Sequence, residues 1–228
     1  MLILILVSEM VTYLNINKCC IVSYGRSVDK SMKYTLVDHN NHEVALERCD
    51  KVKDLGVWFD KKLLFRDHIQ DKINKAYIML GIIKCNFRHL TSTTFMLIYK
   101  TMVTGRSHLD YCCSVWAPCK KEDIEALEKV QKRATKILPA LRHLTYPDSL
   151  KACKLTTLHY RQIRGDMMET YKITSGKYDS EITPTLAMSD THITRGNDLR
   201  LHKSRFKYDM RKFYFANRVV DHWNCLLN

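Results

Sequence analysis

The sequence predicts a mainly α protein: a helical bundle with a small antiparallel β-sheet at its N-terminal end and a short β-ribbon plus helix at its C-terminal end. Three observations predict it. Up to Asp60 the apolar residues come in short runs rich in β-branched and aromatic side chains. From Ile69 they recur at i, i+4 and i+7, the period of a helix with one buried side. Near the end, ITPTLAMSDTHIT (182–194) holds no Lys or Arg and separates a last basic segment from the rest. The expected organisation is a β-rich segment over 1–60, a helical domain over 61–181, a linker over 182–194 and a basic strand and helix over 195–228.

The opening MLILILV is too short to span a bilayer, which takes about 20 apolar residues. It also has no charged flank or small-residue cleavage site of an export signal, so a buried strand or helix fragment is expected there and no membrane partner. CCIVSYG (19–25), MKYTLV (32–37) and DLGVWF (54–59) are the strand candidates, with DHNNH (38–42) as a turn. A first helix carries Ile69, Ile73, Ala76, Leu80, Ile83 and Phe87 as its apolar stripe. TSTTFMLIYKTMV (91–103) opens on possible hydroxyl caps and gives a second helix. A third spans roughly 106–116.

The fourth helix runs from about Lys121 to Leu138, with Glu122, Asp123 and Glu125 in its first turn, basic residues in its last, and Pro139 stopping it. YPDSLKAC (146–153) makes a short helix with proline near its start. Residues 157–174 make another, with Tyr160, Ile163, Met167 and Tyr171 on one face and Arg161, Arg164, Met168 and Lys172 beside it. A closing helix aligns Phe213, Ala216, Val220, Trp223 and Leu227. Trp116 and Trp223 read as core residues.

Charge is the unusual quantity. Of a net +13, residues 1–60 contribute −1 (7 basic, 8 acidic) and residues 61–228 contribute +14 (30 basic, 16 acidic). Such asymmetry is expected of a chain that meets a polyanion. The sharpest case is LEKVQKRATKIL (127–138), where Leu127, Val130, Ala134, Ile137 and Leu138 share one side. Lys129, Lys132, Arg133 and Lys136 share the other, with Arg142 just beyond. This pattern suits both a solvated surface helix and a rail for phosphates. The same two readings stay open for Arg161, Arg164 and Lys172, and for Lys203, Arg205, Lys207 and Arg211. The first three of that last group alternate and would point one way from a strand.

Chemistry is not visible in the spacing. The nine cysteines form no CxxC pair and suit small buried thiols in a reducing compartment. His108 with Cys112, Cys113 and Cys119 fits no common zinc spacing. No group of carboxylates suits a two-metal polymerase or nuclease centre, and Walker, GxGxxG, HExxH and nucleophile-elbow motifs are absent.

Several blocks in order nonetheless carry a resemblance. NINKC (15–19) with Tyr24-Gly25-Arg26, VKDLGVWFD (52–60) with LLFRDHIQDKINKA (63–76), and YCCSVWAP (111–118) running into KKEDIEALEKVQKRATKIL (120–138) are followed by RQIRGDMMETYKI (161–173), GKYD (176–179), TRG (194–196) and FANRVVDHWNCL (215–226). Together they resemble the C-terminal, post-palm part of the reverse transcriptase of non-LTR retrotransposons, the jockey-like LINE group. In that family a Tyr-x-Asp-Asp turn precedes the NINKC block, an endonuclease lies further upstream, and the chain continues past the closing Trp-Asn pair.

The residues before Asn15 match neither upstream part, so the resemblance implies a thumb and connection fragment. By itself it would be no enzyme and would hold no cofactor, since the parent polymerase would use Mg2+ in the palm. Its expected partners are the palm and an RNA/DNA primer–template gripped without regard to sequence. An inert remnant or a protein-interaction scaffold is the alternative. Thr104-Gly105 reads as an insertion between YKTMV and RSHLDY, putting a glycine inside a helix.

Overall fold

The computed structural model describes residues 16, 19–25, 28–29, 31–38, 41–87, 91–104, 109–179, 181–189, 199–207 and 209–226. MLILILV, most of NINKC, Gly105, His108, TRG and Leu227 lie outside the described residues. The chain divides into two units, Met1–Asp67 and His68–Asn228.

The first unit holds short strands: β1 (Cys20–Ile21), β2 (Thr35–Val37), β3 (Glu43–Ala45), β4 (Glu47–Arg48), β5 (Lys51–Asp54) and β6 (Val57–Asp60). One antiparallel sheet was the expectation; the strands instead form three pairs. β1 runs parallel to β4, and β2–β3 and β5–β6 are antiparallel hairpins. Strands of two to four residues bury too little to hold one continuous sheet, and β3 is exposed throughout. The first hairpin is closed by the Asp38 N–H on the His42 carbonyl at 2.9 Å, at the two ends of the expected turn. The second hairpin turns on Leu55 and Gly56, both at positive φ, the signature of a two-residue type I′ turn. Arg48 ties the irregular part together by donating to the Met32 carbonyl at 2.6 Å and to Ser23 Oγ at 3.0 Å.

The second unit is helical. α1 (Arg66–Asn86) enters it, followed by α2 (Ser92–Ile98), a π-helical turn (Tyr99–Thr104), α3 (Cys113–Trp116), α4 (Lys121–Thr135), a 3-10 turn (Pro139–Leu141), α5 (Tyr146–Ala152), α6 (Leu158–Thr174), α7 (Asp209–Lys212) and α8 (Phe215–Leu226). The caps follow the sequence: Thr91, Thr145 and Thr157 each accept from the N–H three residues on. The apolar stripe of α1 is buried from Ile69 to Ile83, while Phe87 lies past the helix end and is exposed. Trp116 is fully buried, edge-on to His68 at 5.1 Å, and its indole N–H donates to the Tyr111 carbonyl at 2.6 Å. α2 leads directly into the wider π-turn, which reaches Thr104.

α6 packs against α3, α4 and α8. Among the described residues after the expected linker, α8 packs on α6. Leu201, Val219, Val220 and Trp223 form a small core with Met167 of α6, Leu186 and Phe215. The expected C-terminal ribbon is a single antiparallel bridge, Met188 with Leu201, flanked by Ser189 N–H to Arg200 O and His202 N–H to Ala187 O.

Candidate nucleic-acid interface

α4 is built as its pattern suggests. Leu127, Val130, Gln131, Ala134 and Thr135 are buried, and Lys129, Lys132 and Arg133 are exposed. At about 100° per residue those three cations fall within one arc of about 100°. No described side chain pairs with Lys129 or Lys132, and the Arg133 guanidinium lies over the Tyr77 ring of α1 at 5.2 Å from the centroid. Stacking holds the Arg133 head against α1 while the residue stays exposed. Glu122 and Glu125 share the N-terminal half of that face, so the positive field belongs to the C-terminal half. Arg142, exposed beyond the 3-10 turn, donates from Nε to the Lys136 carbonyl at 3.4 Å and so stays beside the end of α4.

Other candidates are occupied. Lys136 Nζ donates to the carbonyls of Arg142 and Leu144, each at 2.7 Å, and of Leu141 at 3.5 Å. It satisfies the carbonyls where the chain turns after α4, and an ammonium so engaged has no donor left for a phosphate. Arg161 pairs with Asp110 and donates to Thr104 Oγ1 of the π-turn. Burial pushes the Asp110 carboxyl up despite the guanidinium beside it. Lys172 pairs with Glu169 at 2.8 Å and reaches the Tyr178 hydroxyl. At Glu169 burial works upward, but hydrogen bonds from Lys172 and Tyr178 outweigh it and the carboxyl titrates below its usual range. Lys203 makes two bonds to Asp221 of α8, at 2.6 and 2.8 Å. Residues 202–206 form no strand, so Lys203, Arg205 and Lys207 do not line one strand face. Arg164, Arg205, Lys207 and Arg211 are exposed with no described side-chain partner.

The main departure is α6. Its expected apolar face divides: Ile163 and Met167 are half-buried, Met167 against the small C-terminal core, while Tyr160 and Tyr171 are not buried. Leu158, Gln162, Asp166 and Thr170 point inward, and Tyr160 and Tyr171 stand in solvent. The cause is Arg218 of α8. It donates from Nε and Nη2 to the two oxygens of Asp166, each at 2.9 Å, and from Nη2 to the Ser114 carbonyl. A paired guanidinium and carboxylate with three helices around them decide which way α6 faces. Cys113 sits in the same place, its thiol pushed up to about 11 by burial, with Asp166 and Asp110 adding to it. Such a thiol is a poor nucleophile at neutral pH.

Sequence reasoning also missed the polar network on the inner side of α4. Gln131 accepts from the Tyr99 hydroxyl at 3.3 Å and donates to the Thr156 carbonyl at 2.8 Å and to the Tyr146 hydroxyl at 3.3 Å. The Tyr146 hydroxyl donates to Glu128, whose other oxygen accepts from the His159 N–H at the start of α6. A glutamine at a core position of a helix was the available signal. Among the described residues no three His, Cys, Asp or Glu side chains converge as a metal site, and no helix is long and apolar enough to cross a membrane.

No family model matches the chain, and no solved structure matches it. An uncharacterized protein of Caenorhabditis elegans is 27% identical over 133 residues. That alignment covers 57% of this chain and 66% of the relative, so the chain spans just under two thirds of the relative's length.

Proposed function

We propose that the chain is a catalytically incomplete portion of a non-LTR retrotransposon RNA-directed DNA polymerase that holds an RNA/DNA primer–template by its phosphate backbone. The observation that carries the reading is the exposed arc of Lys129, Lys132 and Arg133 on α4, with Arg142 held at its end. Cations on one rigid helix, with no carboxylate pairing them, can track successive phosphates without reading bases. The ordered sequence blocks supply the family. The chemistry is assigned to the palm of the parent polymerase, and the purified chain is expected to extend no primer. Replacing Lys129, Lys132 and Arg133 together by glutamine should weaken binding to RNA–DNA hybrids of unrelated sequence by the same factor. Unchanged binding, or loss on one sequence alone, would reject the reading.

One observation favours a second reading, a protein-interaction scaffold. Ile78 and Ile82, one turn apart on α1, and Leu97 of α2 are exposed apolar side chains. A monodisperse chain with no affinity for any nucleic acid would favour that role.

A further inference from the structure

The face that α6 turns to solvent has a composition of its own. Tyr160, Arg164, Met168 and Tyr171 follow one another at spacings of four, four and three, which places them within an arc of about 80° over about 16 Å of helix. Tyr160 is 55% exposed, Met168 52% and Tyr171 53%. These two rings and the thioether keep about half their surface in water, while full burial of the helix runs through Leu158, Gln162, Asp166 and Thr170.

The charges on α6 sharpen the pattern. Both of its acids are committed, Asp166 to Arg218 and Glu169 to Lys172. Arg161 is committed to Asp110. Arg164 is the one charged side chain of α6 with no described partner, and it lies between the two exposed tyrosines. Past the helix end Lys177 sits over the Tyr171 ring at 5.4 Å from its centroid. The face thus offers flat π surfaces, a forked cation between them and no competing carboxylate.

From these observations we infer that the outward face of α6, through Tyr160, Arg164 and Tyr171, binds single-stranded nucleic acid by stacking unpaired bases on the two rings while Arg164 holds the phosphate between them. A duplex cannot use such a face, because its bases are already stacked on each other and only its phosphates are presented. Single strands expose base planes, and ring stacking tolerates any base. A protein partner is the competing occupant, since Tyr, Arg and Met are also interface residues. The unopposed positive charge, in a chain whose surplus is concentrated after residue 60, favours the polyanion. The inference rests on the proposed nucleic-acid role and gives it a second site, separate from the arc on α4.

The test uses the whole chain and fluorescence anisotropy with two probes: an oligo(dT) of about twelve nucleotides, within the range of single-strand site sizes, and an RNA–DNA hybrid. Tyr160→Leu with Tyr171→Leu should weaken oligo(dT) binding by about tenfold or more per ring and leave hybrid binding unchanged. Tyr160→Phe with Tyr171→Phe should bind as the parent chain does, because the ring face is kept. Both tyrosines are exposed, so the variants should fold, and circular dichroism checks that they do. Equal loss on both probes, or no loss on either, overturns the proposal. A parent chain that self-associates through this face, and becomes monomeric in the leucine variant with oligo(dT) binding intact, overturns it in favour of a protein contact. The α4 reading fails separately: if the glutamine variant of Lys129, Lys132 and Arg133 keeps hybrid binding while the leucine variant loses oligo(dT), the α6 site stands without it.

Discussion

α4 and α6 pack against each other and are assembled by opposite rules. α4 buries its apolar residues with Gln131 and leaves Lys129, Lys132 and Arg133 outside. α6 buries Gln162, Asp166 and Thr170 and leaves Tyr160, Met168 and Tyr171 outside. The difference lies in where the partner of each buried polar group comes from. Gln131 is met by neutral groups on neighbouring turns and helices, so the ordinary amphipathic pattern holds. Asp166 is met by Arg218, 52 residues away, and that bond rotates the helix away from the pattern its own residues suggest. Hydrophobic periodicity orients a helix only until a buried ion pair competes with it.

The largest effect should come from breaking that competition. Arg218→Ala leaves Asp166 buried without its cation and should destabilise the helical unit by about 3–5 kcal/mol in denaturant unfolding. Replacing both partners, Asp166→Leu with Arg218→Met, should recover most of that loss, because two apolar groups of similar size need no compensation. If the single variant unfolds no more easily than the parent chain, the pair does not orient α6.

The network behind α4 should show itself at high pH. Burial pushes the Tyr99 and Tyr146 hydroxyls well above the usual tyrosine range, with Tyr146 adding to it at the first and Glu128 at the second. The folded state therefore holds protons that the unfolded chain gives up near pH 10. Its stability is complete below that pH and falls as pH rises beyond it. Phenolate absorbance from Tyr99 and Tyr146 should appear only together with loss of helical dichroism. A single smooth titration with helicity intact would count against a buried network.

The smallest effects belong to the two outward faces. Lys132→Gln on α4 and Met168→Gln on α6 should each leave stability within about 0.5 kcal/mol, as surface changes away from any partner do. A larger loss at Met168 would mean that the exposed side of α6 is packed against something.

The sequence made most helices legible, because several open on a capping threonine and the longer ones carry an apolar period. Thr91, Thr145 and Thr157 mark starts, Pro139 marks a stop, and the stripe of α1 runs true from Ile69 to Ile83. What it hid depends on contacts far apart in the chain. Arg161 and Arg164 look alike in sequence, yet Asp110 takes one and leaves the other. Lys136 continues the basic run of α4 and still ends in carbonyls, because the 3-10 turn curls back under it. Lys203 and Arg205 alternate as a strand would, but Asp221 on α8 holds the first and no strand forms. Charge density could be read from the composition; which charges remain unpaired could not.

The central claim is that the exposed cations at the end of α4 grip phosphates. Its most direct measurement is the affinity of the whole chain for an RNA–DNA hybrid across a salt series, set beside the variant with Lys129, Lys132 and Arg133 replaced by glutamine. With Arg142 included, about four contacts at about −0.9 each give a log–log slope near −3.6 for the parent chain, and the variant should retain a slope near −0.9. A parent slope near zero, or equal slopes for the two proteins, would contradict it.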